Sequence, residues 1–189
     1  MGVFEASLPP PIMLDEFIRL ILLILPAYAA NAAPVVLGGR FPIDGGMRAW
    51  DKRPIFGSSK TWLGLLGGMA AGLLAAALEA HMLRGTAYDL WAGRPEWYAG
   101  MGLALSAGAL AGDLAGSFIK RRLGLPAGRP SWLLDQLPFV LAALLAAWLA
   151  GASFAFSPMP LIFLLALTIV LHRAANAFAH ASGLKKVPW

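Results

Sequence analysis

The sequence predicts an all-α integral membrane protein with five transmembrane helices, and three observations carry that reading. The 189 residues are 59% hydrophobic and only 13% charged, against about 25% charged in a soluble domain, and the mean hydropathy is +0.68. Residues 12–36, 61–83, 98–119, 133–151 and 158–180 each approach the ~20 apolar residues that cross a bilayer. The Lys and Arg residues are shared unequally between the connections. The length suits one polytopic domain over residues 1–189. There is no cysteine, so disulfides, thiolate zinc sites and haem attachment are excluded. Any metal must take oxygen or imidazole ligands.

Hydrocarbon offers no partner for a free backbone group, so each span should be helical. The first ends in "LPAYAANAA", a small-residue pattern that could be read as a signal-peptide cleavage site. However, Glu5, Asp15 and Glu16 lie at its start and no Lys or Arg precedes Arg19. Signal peptides start basic, so this is a membrane helix. The second and third spans carry glycines at 64, 68 and 72 and at 108, 112 and 116. That four-residue spacing lets helices approach closely, and packing alone accounts for it. Asp135 opens the fourth span after a short basic connection. The fifth carries His172, Asn176 and His180 at i, i+4 and i+8, which reads as a polar seam within the bundle rather than a zinc site.

The cations orient the chain. Arg40, Arg48, Lys52, Arg53 and Lys60 lie in the first connection, Lys120, Arg121, Arg122 and Arg129 in the third, and Arg173, Lys185 and Lys186 at the end. That puts 12 of the 15 on one side and leaves Arg19, Arg84 and Arg94 for the other. Positive charge stays in the cytoplasm, so the N-terminus is expected outside and the C-terminus inside, in a cell membrane.

The polar residues gather towards the same face. Asp113, Ser117 and Lys120 share one face of the third helix, with Arg121 and Arg122 following at the interface. A lone carboxylate at membrane depth costs up to about 3 kcal/mol. Asp113 therefore needs a wet cavity, an ion or a cationic partner, and a plain salt bridge to a neighbouring Lys is one answer. The long first connection, "RFPIDGGMRAWDKRPIFGSSKTW", adds Asp44, Asp51 and five cations. Its end places Ser58 and Ser59 as candidate N-caps before Lys60 and Thr61, and a capped helix start is a ready anion site. "GSSKT" is no Walker A loop, since the earlier glycine spacing and the preceding strand are missing. A polybasic loop that binds lipid headgroups is the alternative. Asn31, Lys60, Asp113, Lys120, Asp135 and Asn176 all lie towards one membrane face. Hard oxygen ligands among cations suit Mg²⁺ with a polyphosphate, since Mg²⁺ binds one or two carboxylates plus substrate phosphates and Lys and Arg hold phosphate oxygens. The reading from residues alone is a membrane enzyme that brings a nucleotide to a lipid phosphate.

"GDLAGSFIKRRLG" together with the later Asp135 resembles the signature of the CTP-phosphatidate cytidylyltransferase (CDP-diacylglycerol synthase) superfamily, with Asp113, Ser117, Lys120, Arg121 and Asp135 in its places. "LPAGRPSWLLDQ" is shorter than the bacterial pattern and lacks its Lys-Asp and His-Gly-Gly elements. With "RPIFGSSKTW", the five-span size and the ending "GLKKVPW", it is similar to the archaeal branch, the CDP-archaeol synthases. The resemblance covers nearly the whole chain. It implies transfer of CMP from CTP to an isoprenoid glycerol phosphate lipid, 2,3-bis-O-(geranylgeranyl)-sn-glycerol 1-phosphate, with release of pyrophosphate. It implies that Asp113 and Asp135 hold Mg²⁺ and that Lys120, Arg121 and Arg122 neutralise phosphate. Lys60 and the Ser58–Thr61 helix start approach from the opposite wall. Gln136 and Arg129 are the candidates to stand for the residues that the bacterial pattern has and this chain lacks. CTP, the lipid phosphate and membrane lipids are the expected partners, with no nucleic acid among them.

Two rival classes use some of the same residues. A transporter or proton relay would draw on Asp113, Glu79, His81 and His172, but it calls for internal repeats and a polar track through the membrane. A CDP-alcohol phosphotransferase needs aspartates at four-residue spacing, where this chain has Ser117 after Asp113.

Overall fold

The computed structural model describes residues 11–126, 129–131, 133–152 and 157–184. Lys185 and Lys186 lie outside them. Five helices follow in order: α1 Pro11–Leu37, α2 Trp62–Met82, α3 Pro95–Arg122, α4 Leu137–Leu149 and α5 Pro158–Ala181. Helices α1, α2, α3 and α5 are long and apolar enough to cross a membrane, whereas α4 is a shorter apolar helix. Its 13 residues reach about 20 Å at 1.5 Å per residue, short of the ~30 Å hydrocarbon thickness. The sequence expectation of a span at 133–151 was too long because residues 133–136 form a turn instead of helix. Asp135 N–H and Leu137 N–H donate to the carbonyls of Ser131 and Leu133, and Asp135 Oδ2 accepts the Ser131 N–H at 2.7 Å. Asp135 therefore precedes α4 and does not begin it.

The core joins α1, α3, α4 and α5 through Leu20, Leu23, Ile24, Leu105, Ala109, Val140, Ala143 and Leu164. Leu66, Leu74, Leu145, Leu149, Ile162 and Val170 point outward and are more than half exposed. Such a surface is disfavoured in water and at ease in hydrocarbon. Near the middle, the Tyr28 hydroxyl lies 2.6 Å from Thr168 Oγ1 and ties α1 to α5. At the end opposite the cationic loops, Arg19 donates to the Ala87 carbonyl at 2.7 Å, and the rings of Trp91 and Trp97 stack.

Both glycine series are packing surfaces. Pro34 has no N–H for the carbonyl four residues back, which belongs to Ala30. That carbonyl faces Gly68, where a Cβ would sit 2.7 Å from its oxygen. At Gly72 a Cβ would meet Ser106 Oγ of α3 at 1.9 Å, so α2 wedges between α1 and α3 on bare backbone. The second series sets α3 against α4. Added Cβ atoms at Gly108, Gly112 and Gly116 would lie 2.7, 2.1 and 2.7 Å from the carbonyl oxygens of Ala142, Pro138 and Leu134.

The first connection is a folded cap rather than a loose polar loop. Pro42 bridges to Thr61 and Arg48 to Pro54 in two short antiparallel pairings. Asp44, only 3% exposed, accepts the N–H groups of Gly46, Phe56 and Gly57 at 2.9–3.0 Å. Burial works to raise its pKa, but the Gly57, Phe56 and Gly46 donors outweigh it and hold the carboxyl below the ordinary 3.8.

The glycine packing makes a contrast that thermal melting in detergent can read. Gly112→Ala forces its Cβ onto a backbone carbonyl and should destabilise by about 1–3 kcal/mol. Gly100→Ala, on the same helix with nothing within 4 Å, should be neutral or stabilising because Ala is the better helix former. Equal melting temperatures for the two variants would remove the α3–α4 contact from the account.

Candidate active site

At the cationic end, α3 is bracketed by the folded first loop on one side and by the turn before α4 on the other. Lys60, just before α2, places its Nζ 2.5 Å from Asp113 Oδ2. Lys120, near the end of α3, pairs with Asp135 Oδ1. The salt-bridge alternative raised by the sequence is thus realised twice, and each lysine has the acid of a different segment as partner. The side chains are 22% and 31% exposed in the first pair and 14% and 23% in the second. In both, the acid is the more accessible member, the side from which a cation would arrive. Because Leu134 O lies at Gly116 and Pro138 O at Gly112, Asp135 stands roughly one helical turn, about 5 Å, along α3 from Asp113. Buried Ser117, four residues beyond Asp113, shares its face of α3.

The N-cap of α2 is Thr61, not Ser58 or Ser59. Thr61 Oγ1 accepts the N–H of Gly64 at 3.1 Å and that of Gly39 at 3.2 Å. The helix begins at Trp62, and the two serines sit in an earlier turn closed by the Lys60 N–H on the Gly57 carbonyl. Both serines are exposed. Ser59, Lys60, Thr61, Asp113 and Leu114 line a small cleft that runs to the apolar side chains of Leu65 and Leu110.

The three consecutive cations of α3 have three separate surroundings. Lys120 meets Asp135. Arg122 donates to Asp51 Oδ1 and to the Pro54 carbonyl, each at 2.5 Å, with its guanidinium 5.3 Å from the Trp50 ring and 5.0 Å from the Phe118 ring. That group clamps the first loop to α3. Arg53 returns the contact by donating to the Arg122 carbonyl at 2.6 Å, a cation on free carbonyls at a helix C-terminus. Arg121 is 6% exposed and lines a cavity of about 460 Å³ between the loop and residues 124–126. Ser58 lines the same cavity.

Of the other residues singled out by the sequence, Gln136 is buried beside Asp135, and its Oε1 has no hydrogen-bond partner among the described residues. Asn31 is half-buried on α1, and Arg129 is exposed in the connection before α4. Asn176 is buried, His172 lies 6.1 Å from the Phe139 ring, and His180 is exposed, so the stripe on α5 does not form one inward seam. Glu79, in the half of α2 away from the site, has a buried Oε1 without a partner among the described residues. Sequence reasoning passed over the structural work of Asp44, Asp51 and Arg53. The Asp-Gly-Gly run at 44–46 was the available signal, because Asp and Gly together favour a side-chain-closed turn.

A family model described as CarS-like, CDP-archaeol synthase, matches residues 13–189. A CDP-archaeol synthase of Thermococcus onnurineus is 45% identical over 88% of this chain and 93% of its own length. One from Aeropyrum pernix is 45% identical over 93% of this chain and 94% of its own. A solved structure of an intramembrane enzyme for archaeal membrane lipid biosynthesis superimposes with a TM-score of 0.66 at 43% identity, covering 82% of this chain and 91% of that one. With a family model spanning almost every residue and relatives matched nearly end to end, the chain belongs to the CDP-archaeol synthase family.

Proposed function

We propose that this family member transfers the cytidylyl group of CTP to 2,3-bis-O-(geranylgeranyl)-sn-glycerol 1-phosphate, forming the CDP-activated lipid and releasing pyrophosphate. The observation that carries the reading is the pair of half-buried Lys–Asp contacts, Lys60–Asp113 and Lys120–Asp135, converging on α3 at the cationic end. A lipid phosphate oxygen forms the new bond to the α-phosphorus of CTP as the bond from that phosphorus to the bridging oxygen of pyrophosphate breaks. The lipid phosphate is already an anion, so no side chain has to remove a proton from it. What the protein must supply is alignment and charge stabilisation. Lys60 and Lys120 can exchange their carboxylate partners for phosphate oxygens without crossing open solvent. The cleft beside Lys60 is also lined by Leu65 and Leu110, so apolar side chains stand next to the charged pair.

The donor set fits Mg²⁺. The described residues hold no cluster of three or more acids and histidines, and two carboxylates are what Mg²⁺ takes alongside substrate phosphates. Asp113 and Asp135 would hold it, and when bound it would neutralise charge on the CTP phosphates.

On this reading the enzyme crosses the cell membrane five times, with the N-terminus outside and the site facing the cytoplasm, where CTP is made. The support is the cation distribution. Because the chain has no cysteine, single cysteines report topology without background. A membrane-impermeant thiol reagent should label Ala87→Cys in intact cells and Met47→Cys only after lysis. The reverse pattern would put the site in a compartment without CTP.

Label placed on the α-phosphate of CTP should enter the organic phase with the lipid, and γ-label should leave as pyrophosphate. Appearance of γ-label in the lipid would identify a kinase and end this reading. Asp113→Asn and Asp135→Asn should each lower turnover by about 10²-fold or more, with Glu79→Gln close to wild type. The two acids act as a unit in this scheme, so the double variant should be scarcely worse than either single one. A purely structural role predicts a different outcome: melting temperature falls with turnover, and both recover when the partner lysine is also neutralised.

A further inference from the structure

The folded first loop holds two large apolar side chains outward, and both stand beside helix ends. Phe41 is 76% exposed and Trp50 81%, although each belongs to a segment whose backbone is fixed. The Phe41 carbonyl accepts the Trp62 N–H at 3.0 Å. Phe41 is thus level with the first residues of α2, where Trp62 and Leu63 are also more than half exposed. Trp50 lies in a turn closed by the Lys52 N–H on the Ala49 carbonyl at 2.9 Å. Its ring meets that of Phe118 at 6.1 Å, about one turn before α3 ends at Arg122. The two aromatics therefore mark one level on two helices, and on the topology proposed above that level is the cytoplasmic membrane–water interface.

An aromatic ring held out by a rigid backbone is disfavoured in water and favoured among lipid headgroups. The cations beside the rings decide what kind of surface they fit. Arg40 precedes Phe41, and Lys52 follows Trp50 by two residues. Both are exposed, and neither side chain has an ion pair or hydrogen bond among the described residues. The other cations of the loop are engaged: Arg48 on the Lys52 carbonyl, Arg53 on the end of α3 and Lys60 on Asp113. Its two acids are engaged as well. Asp44 is buried under three N–H groups, and Asp51 is held by Arg122. What remains facing outward is two uncommitted cations, each beside an exposed ring, with no uncommitted acid in the loop to neutralise them.

We propose that the first loop docks on the anionic headgroups of the cytoplasmic leaflet. Phe41 and Trp50 enter the interface, and Arg40 and Lys52 bind the phosphates of neighbouring lipids. Cations close to a negatively charged leaflet gain an attraction that a neutral leaflet does not supply. The rings add an apolar hold that charge alone lacks. The loop is seated at two points, one beside α2 and one beside α3. The same loop ends at Lys60, so the leaflet becomes part of what steadies that lysine opposite Asp113. The surface is separate from the Lys–Asp pairs, and the lipids it takes are bystanders of the reaction.

The chain has no cysteine, so Trp50→Cys accepts a single bimane label. The labelled protein is reconstituted in phosphatidylcholine vesicles with and without about 30% phosphatidylglycerol, each containing a lipid with a nitroxide quencher near its headgroup. Quenching should be at least about twofold stronger in the anionic vesicles, and about 0.5 M salt should remove most of that difference by screening. Arg40→Gln combined with Lys52→Gln should abolish the difference at low salt while leaving the melting temperature unchanged. Equal quenching in the two vesicles would overturn the proposal. If equally strong, the rings insert without regard to charge; if equally weak, the loop stands clear in water. Quenching that falls as the protein is packed more densely would assign the patch to a second copy of the chain and overturn it too. If Trp50→Cys does not fold, the label moves to Phe41→Cys, where the same outcomes decide. The readout needs neither CTP nor turnover, so its failure is distinct from failure of the proposed reaction.

Discussion

The contact on which the site depends is the approach of α4's first turn to α3 at Gly112. The Pro138 carbonyl occupies the space where any other residue would carry its Cβ, 2.1 Å from that ideal position. A helix pair held this closely has little freedom to slide. Asp113 follows Gly112 directly, and Asp135 precedes Pro138 by three residues, so the separation of the two acids is fixed by backbone packing. The same logic operates on the other side. Gly68 and Gly72 bring α2 against α1 and α3, and Lys60 at the start of α2 is thereby carried to Asp113. Dispersion and close backbone approach do in lipid what the hydrophobic effect does in water.

The charges of the site are laid over this scaffold with their partners already chosen. Two lysines hold two aspartates, Arg122 holds the loop, and Arg53 holds the end of α3. A half-buried acid left without a partner would be expensive. Pairing removes that expense before any substrate is present and keeps every member in reach of a competitor. A polyanion and a divalent cation arriving together can substitute for both halves of each pair. Under the proposed function the pairs serve exchange of partners rather than permanent structure, and membership of the CDP-archaeol synthase family displaces the transporter and phosphotransferase readings that shared some of these residues.

Legibility in the sequence followed the range of the interaction. Helix positions were readable because hydrophobic runs report them locally, and the limits of α1, α2 and α5 fall within about two residues of the expected spans, inside the usual scatter of helix ends. The glycine series was readable for the same reason. Asp113, Lys120 and Asp135 stood out because charge in an apolar run is rare. The cap of α2 was misread. Ser58 and Ser59 have the right chemistry, but the bridge from Pro42 to Thr61 sets where the helix starts, and that pairing spans 19 residues. Partner choice was equally hidden: nothing local says that Lys60 meets Asp113 while Lys120 meets Asp135, or that Arg122 faces inward to Trp50 and Phe118. Those are consequences of how a loop folds back on a helix, which short spacings do not encode.

The short fourth helix has a mechanical consequence for the membrane around it. If α4 crosses the bilayer as proposed, its 13 helical residues leave about 10 Å of hydrocarbon thickness unmatched. The turn that precedes it carries Asp135 and Gln136. If the deficit falls at that end, the bilayer surface must dip towards the turn, since hydrophobic mismatch is relieved by local thinning. Water and headgroups would then descend to the acids instead of the acids rising to them. A lipid in the adjoining leaflet could offer its phosphate while its isoprenoid chains stayed in oil, and only the nucleotide would travel. The length of one helix would in that way set the level at which a water-soluble reagent and a membrane-bound one meet.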